Sequence, residues 1–463
     1  MSSVFPPGFA WGAATASYQI EGAARTDGRG PSIWDDFCRQ PGAVWRGHTG
    51  DVACNHYTHM PADVAMMQKI GLQAYRFSLS WSRILPQGTG AVNEAGLGFY
   101  DRLVDQLLAA GITPFCTLYH WDLPSALQAR GGWQTRDSVD WFAQYTEVVA
   151  RRLGDRVKHW ITLNEPQIFI TYGLQKGEHA PGLKLPFKQV LQAGHNALLA
   201  HGRAVQVLRV HCPGAQIGMA PQTPVAFPST ESDADIEAAR QFTFGIEPIG
   251  TFIGRALNLP ANNPLNTAWW LDAAFLGHYP EEGLRLYGAD APEVQAGDMA
   301  LIRQPLDFCG MNVYFGLEVS ATDAAVALVP GKPGAPITGF DWPVTPKALQ
   351  WGPRFLFERY GKPIYITENG LSQRDWISLD GQVHDPQRID FTTLYLRELA
   401  KASASGVDVR GYFHWSLMDN FEWAEGYKHR FGLVHVDYTT GVRTPKDSAA
   451  WYGQVIASHG SGL

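Results

Sequence analysis

The sequence predicts an α/β fold, a single (β/α)8 TIM barrel with long βα loops spanning residues 1–463. Three observations lead there: short apolar runs recur along the chain, amphipathic helical stripes lie between them, and polar residues collect at the C-terminal ends of the runs. The eight runs are Phe9–Thr15, Ala74–Leu79, Thr113–His120, His159–Glu165, Ile217–Ala220, Leu306–Asn312, Pro363–Glu368 and Val409–Ser416. Several are apolar nearly throughout, as strands covered on both faces of a parallel sheet must be. Eight repeats favour a closed barrel over an open doubly wound sheet, though spacing alone is compatible with both.

The helices follow from spacing. After Asn93, a residue suited to an N-cap, Leu97, Tyr100, Leu103, Val104, Leu107 and Leu108 keep a helical stripe as far as Gly111. A second stripe follows Thr135, with Val139, Phe142, Tyr145, Val149 and Leu153 in steps of three and four before Gly154. Two irregular stretches, Pro221–Pro264 and Phe315–Pro353, are rich in Pro, Gly and polar residues and too long for plain connectors. Such loops usually wall a binding site. No compositional break or low-complexity linker divides the chain, so one domain is expected.

Composition excludes several classes of function. No stretch approaches the roughly eighteen apolar residues that a membrane span requires. A net charge of -7 without any cluster of Lys and Arg argues against nucleic acid or anionic lipid as partner. Cys38, Cys54, Cys116, Cys212 and Cys309 are odd in number and irregularly spaced, which reads as buried free thiols rather than a disulfide framework. Met1–Ala10 has neither a basic nor an apolar leader segment, and no Asn-x-Ser/Thr sequon occurs, so a cytoplasmic protein is expected. Trp 16 and Tyr 17 are abundant; part of this surplus packs the core, and part suits ligands with C–H faces and hydroxyl rims, as sugars have.

Polar residues end five of the runs: His120 and Trp121 the third, Asn164 and Glu165 the fourth, Asn312 and Tyr314 the sixth, Glu368 and Asn369 the seventh, Trp415 the eighth. In a parallel barrel that is the face carrying the active site. Taken singly, each reads equally well as a core or rim residue; together they point to a site. Glu165 and Glu368 leave runs four and seven, which stand across the mouth, so their carboxylates can converge on one bond. Carboxylate pairs of this kind flank glycosidic bonds, with retention of configuration at a separation of roughly 5–5.5 Å and inversion at wider ones. Sequence spacing leaves both open. A metal-dependent barrel hydrolase would need ligands such as His-x-His after the first run or His-Glu-x-x-His on a helix, and the chain has neither.

The local sequences are more specific than their positions. Thr-Leu-Asn-Glu-Pro at Thr162–Pro166 and Ile-Thr-Glu-Asn-Gly at Ile366–Gly370 resemble the acid/base and nucleophile motifs of glycoside hydrolase family 1. The resemblance runs through Phe-Ala-Trp-Gly-Ala-Ala-Thr at Phe9–Thr15, Gln-Ile-Glu-Gly at Gln19–Gly22, Tyr-His-Trp-Asp-Leu-Pro at Tyr119–Pro124, and Trp-Ser-Leu-Met-Asp-Asn-Phe-Glu-Trp at Trp415–Trp423. It implies a retaining β-glycosidase, most readily a β-glucosidase, working without cofactor or metal. Glu165 would be the acid/base and Glu368 the nucleophile. Gln19, His120, Trp121, Asn164, Glu422 and Trp423 would line the glycone pocket, with Trp415 as its floor. Arg76, Asn312 and the Tyr314 hydroxyl would support the nucleophile.

The same resemblance bears on substrate. Members that take 6-phosphorylated sugars carry Ser near position 422, with Lys and Tyr where this chain has His429 and Phe431, so an unphosphorylated sugar is expected. Thioglucosidases of the family lack the acid/base glutamate; Glu165 is present, and O-glycosides follow. A non-catalytic sugar-binding barrel would lack one of the two glutamates, and both are here. The expected partners are small-molecule β-glycosides or short β-linked oligosaccharides such as those of cellulose degradation. Glucose is preferred over galactose or fucose, although the Gln19 and Glu422 pair occurs in members that accept several epimers. On the aglycone side Phe169, Tyr172, Thr223 and Trp342 are expected to wall the cleft, with Trp342 stacking on the leaving group.

Overall fold

Burial on both faces turns the apolar runs into strands. The computed structural model describes residues 4–247, 252, 262–322 and 326–463. Its barrel strands are β1 (Ala10–Ala14), β2 (Ala74–Ser78), β3 (Thr113–Tyr119), β4 (His159–Asn164), β5 (Gln216–Ala220), β6 (Phe308–Asn312), β7 (Ile364–Asn369) and β8 (Val409–Trp415). Each pairs in parallel with the next, and β8 returns to β1 with Ala10 opposite Gly411 and Ala14 opposite Trp415. The sheet is closed, and the open alternative falls.

Closure needs a filled interior. Phe115 of β3 meets Phe413 of β8 at 4.7 Å and Tyr365 of β7 at 5.5 Å, contacts between non-neighbouring strands that only the barrel interior allows. His159 and Phe308 join the same plug. Room for it comes from glycine: a Cβ on Gly12 would lie 2.5 Å from the Phe413 ring, and one on Gly218 would lie 2.4 Å from Phe308. These rings sit toward the N-terminal ends of the strands, so the polar C-terminal ends face the open mouth.

The two helical stripes become Glu94–Ala109 and Ser138–Leu153. Leu97, Tyr100, Leu103, Val104 and Leu107 are buried, as are Val139, Phe142, Tyr145, Val149 and Leu153. Leu108 departs from the expectation: it is 42% exposed, because Leu107 takes the inward position of that turn. Asn93 does stand at the N-cap, yet its side chain donates to the carbonyls of Arg83 and Asp27 and accepts nothing from the helix. It fastens the helix to the turn at Arg83 and to the distant loop at Asp27 instead.

The long stretches are less irregular than their composition suggests. Val225–Pro228, Gly316–Ala321 and Val326–Leu328 form a small three-stranded sheet. Helix Asp233–Phe244, capped by Ser232, packs on it around a second core of Ala226, Phe227, Phe242, Val319, Trp351 and Phe355. Helix Ala348–Tyr360 begins inside the second stretch. Strands this short, set among Pro and Gly, leave no readable alternation. Of the first stretch, 248–251 and 253–261 lie outside the described residues, as do 323–325 of the second.

All five cysteines are buried and unpaired. No described helix is long and apolar enough to cross a membrane. Behind the mouth, a buried ion network joins the loops after β7 and β8 to the C-terminal helix Asp447–Ala457. Lys446 lies between Asp375 and Asp419, Arg430 holds the other side of Asp419 at 2.6 Å, and Arg388 bridges Asp375 and Asp385. Lys446 is 2% exposed, so removing it takes from each of two buried carboxylates one of its two cations, in a medium that cannot solvate the charge left over. Lys446→Met is therefore expected to cost about 3–5 kcal/mol, read as a clear fall in the thermal unfolding midpoint at fixed scan rate. An unchanged midpoint would show that the network contributes nothing.

Candidate active site

The site grows from Arg76, a buried guanidinium on β2. Its Nη1 donates to Glu368 Oε1 at 2.6 Å and to the Thr367 carbonyl at 2.9 Å. Its Nη2 donates to Asn164 Oδ1 at 2.6 Å, and Nε reaches Thr117 Oγ1 at 3.2 Å. One cation thus spans the ends of β3, β4 and β7. Asn312, on β6, donates from Nδ2 to both Asn164 Oδ1 and Glu165 Oε1 at 2.9 Å, while its Oδ1 accepts from Thr367 at 2.6 Å. The two glutamates, 203 positions apart in the sequence (368 − 165), are brought within reach of the same few side chains.

Their surroundings differ. Glu368 accepts from the Arg76 guanidinium and, at 2.7 Å, from the Tyr314 hydroxyl. Glu165 accepts from the neutral Asn312 amide. Burial raises both carboxyls above the usual range; for Glu165 the charge of Glu368 adds to this, whereas Arg76 and Tyr314 work against it at Glu368. Glu165 therefore keeps its proton to higher pH, and Glu368 ionises first. Burial and the neighbouring carboxylates push Tyr314 up as well, so it remains a donor.

Around this pair stand aromatic walls. The His120 ring lies 5.9 Å from Trp415 and 5.8 Å from Trp423, nearly parallel to both, and Trp423 packs on Trp121 at 4.6 Å. Burial, with Arg76 nearby, keeps His120 neutral. Because the Asn164 oxygen already accepts from Arg76 and Asn312, its Nδ2 must donate to His120 Nε2 at 2.9 Å, which leaves the hydrogen on Nδ1. Trp342 stacks on Phe340 at 4.8 Å and lies 5.2 Å from Tyr314. Trp121, Glu165 and Trp423 all hold positive φ, at 80°, 45° and 48°. Left-handed backbone in non-glycine residues concentrated at one site is strain that the surrounding structure must enforce.

Glu422 is pushed up to about 8 by burial, with Glu368 and Glu425 adding their charge. Gln19 Nε2 reaches it at 3.5 Å but is held mainly by the Phe421 carbonyl and Asn420, at 2.8 and 3.0 Å. Gln19 Oε1 is buried without a protein partner.

A cavity of about 500 Å³ opens over these groups. His120, Trp121, Glu165, Tyr314, Trp342 and Glu368 line it, as do Trp415, Glu422 and Trp423. Gln19, Arg76, Asn164 and Asn312 stand behind that wall. On the aglycone side, Tyr172 lines the cavity as expected. Phe169 does not: it faces Tyr119 and Trp133, at 5.1 and 5.7 Å. Thr223 is likewise buried, bonded to the Pro221 carbonyl, and its neighbours Gln222 and Pro224 line the wall instead. Sequence reasoning missed Ile168 and Lys176; with Tyr172 they form a stripe at steps of four on the helical turns that begin at Pro166. That spacing was the available signal.

The model of the Glycosyl hydrolase family 1 family matches residues 1–253 and 255–461. β-Glucosidase A of Thermotoga maritima is 45% identical over 458 residues, covering 98% of both chains. β-Glucosidase A of Acetivibrio thermocellus is 43% identical over 465 residues, covering 98% of this chain and 99% of its own. A solved structure of the Thermotoga maritima β-glucosidase in complex with glucoimidazole superposes with a TM-score of 0.87, at 45% identity, over 98% of this chain and 99% of that one. With a family model covering nearly every residue and relatives this similar along their whole lengths, the chain belongs to glycosyl hydrolase family 1.

Proposed function

We propose that this chain is a retaining β-glucosidase that removes terminal non-reducing β-D-glucosyl residues from unphosphorylated O-glycosides. The observation that carries the assignment of roles is the asymmetry of the two carboxyls. A guanidinium and a phenol stabilise charge on Glu368, the nucleophile; a single neutral amide attends Glu165, the acid. Ionised Glu368 attacks the anomeric carbon while Glu165 protonates the departing oxygen, leaving a glycosyl ester. At about 5.5 Å and an effective dielectric near 20, the charge on Glu368 is worth roughly 3 kcal/mol, or about 2 pK units, to the proton on Glu165. Ester formation removes that charge. Glu165 then becomes acidic enough to act as base toward water, and one residue serves both steps.

In this reading Trp415 floors the glycone pocket, with His120, Trp121, Glu422 and Trp423 as its walls. Gln19 and Asn164 act from behind, and Trp342 flanks the leaving group. Exclusion of a 6-phosphate rests less on repulsion than the presence of Glu422 suggests, because that carboxyl is neutral below about pH 8. It rests on the lack of an unpaired cation among the described residues that line the cavity: the ammonium of Lys176 is paired with Glu178 at 2.7 Å. The chemistry draws on protein carboxyls alone and calls for no cofactor. The five buried thiols fit a reducing compartment, the cytoplasm.

A kinetic panel of 4-nitrophenyl β-glucoside, β-galactoside, β-fucoside and 6-phospho-β-glucoside tests the reading; the glucoside should have the highest kcat/KM and the phosphorylated sugar the lowest. Faster turnover of the phosphorylated substrate would overturn it.

Glu368→Ala should lower kcat by roughly 10⁴-fold or more, since a residue whose partners act as a unit carries most of the rate. Added azide should then restore turnover and yield the α-glucosyl azide. Glu165→Ala should spare attack on substrates with good leaving groups and yield the β-azide. Identical products from the two variants would reverse or abolish the roles.

The pH profile of kcat/KM should be a bell. Activity rises with pH as Glu368 ionises and falls as Glu165 loses its proton, both limbs lying above ordinary glutamate values because burial raises both groups. Arg76→Met withdraws the cation from Glu368, so the acid limb should move to higher pH. A limb that stays in place would show that Arg76 does not set that ionisation.

A further inference from the structure

We propose that the leaving-group side of the cleft is built for an apolar aglycone, an alkyl or aryl group, in preference to a second sugar; this rests on the glucosidase reading above and narrows its substrate. Barrel order divides the mouth into two sectors. His120 follows β3, Trp415 ends β8 and Glu422 lies in the loop after it, with Gln19 behind them after β1. The loops after β4, β5 and β6 occupy the other sector, beside Glu165, the residue that hands its proton to the departing oxygen.

Among the described residues, most of that second sector is hydrocarbon. The helical turns after Glu165 contribute Ile168 and Tyr172, the small sheet contributes Val225 and Leu317, and Leu265 and Phe315 complete the surface. Ile168, Tyr172, Phe315 and Leu317 are only half-buried, so they meet water when the cleft is empty. Covering such a surface with a CH₂ chain or an aromatic ring is favourable in proportion to the area removed from water.

The polar groups at this end are partly committed. Lys176 and Glu178 pair with each other at 2.7 Å, and the Gln222 carbonyl accepts from Gln167 at 2.9 Å. Among the described residues the Gln222 side-chain amide, the Tyr172 hydroxyl and the His179 imidazole, which burial keeps neutral, remain. Three neutral groups can satisfy one or two hydroxyls or an ether oxygen. A glucosyl aglycone would bring several hydroxyls against side chains that cannot replace their bonds to water.

The test is a series of alkyl β-D-glucosides from methyl to octyl, kept below micelle formation, with cellobiose and β-D-glucosyl fluoride in parallel. The value of kcat/KM should rise roughly two- to fourfold per methylene until the cleft is filled, and octyl glucoside should exceed cellobiose by at least about tenfold, or about 1.4 kcal/mol. Leu317→Asn should flatten the series; if that variant does not fold, Ile168→Asn serves the same purpose. The fluoride has no aglycone to seat, so its hydrolysis reports the glucosidase reading by itself. Fluoride turnover with a flat alkyl series, or with cellobiose ahead of octyl glucoside, overturns the apolar cleft. Absence of fluoride turnover overturns the glucosidase reading instead.

Discussion

Two carboxyls buried together in the mouth of a barrel repel each other when ionised, and each loses the water that would stabilise its charge. Left alone, both would stay protonated and neither could attack. The charge of Arg76 resolves this by being placed unequally: it bonds directly to Glu368 and reaches Glu165 only through Asn164 and Asn312. The guanidinium is itself buried, and its donors are spent on a carboxylate, an amide oxygen, a carbonyl and a hydroxyl. A buried charge with every partner in place is held rigidly, because any displacement exposes an unsatisfied group. The geometry of the carboxyl pair therefore inherits the stiffness of β2, β4, β6 and β7, whose ends carry these partners.

The barrel supplies that stiffness from below. The ring plug around Phe115 and Phe413, admitted by Gly12 and Gly218, fixes the strand ends, and the Lys446 network ties down the loops that bring Phe431 and Glu422 to the cavity. Three site residues in left-handed backbone need this support. Each costs of order 1–3 kcal/mol, more than a mobile loop could hold. The aromatic walls then stack on a frame that is already fixed, with His120 between Trp415 and Trp423.

How much of this was legible in the sequence depends on how local the cause was. Strands covered on both faces show as unbroken apolar runs, so all eight could be read to within two residues of their observed ends. The paired glutamates were readable for the same reason: each directly follows or ends such a run, and a parallel barrel allows those ends one destination. The small sheet was not, because strands of three to six residues among Pro and Gly carry no period. Phe169 faces the core and Ile168 the cleft, neighbours 100° apart on a five-residue helix; only the step of four carried on through Tyr172 and Lys176 fixes that phase. Asn93 sits at its expected position with an unexpected role, since the Arg83 and Asp27 carbonyls that claim its amide come from other parts of the fold. The near-neutral carboxyl of Glu422 depends on burial by the whole mouth, and no local pattern records it.

The choice of Asn312 beside Glu165 follows from what the proposed acid/base role asks of that residue. A cation there would lower the Glu165 carboxyl and leave it ionised, unable to protonate a leaving group. An apolar neighbour would raise it further and hold the proton when a base is needed. A neutral amide donor favours the charged form only modestly, so the balance is set by the charge on Glu368, which the reaction itself removes and restores. Asn312 can take this part because its own carbonyl is engaged by Thr367 and its second donor contact is to Asn164, an arrangement that keeps the N–H directed at Glu165 whether that oxygen is ionised or not. Under the proposed roles, Arg76 fixes which carboxyl is the nucleophile, and Asn312 leaves the other one free to change.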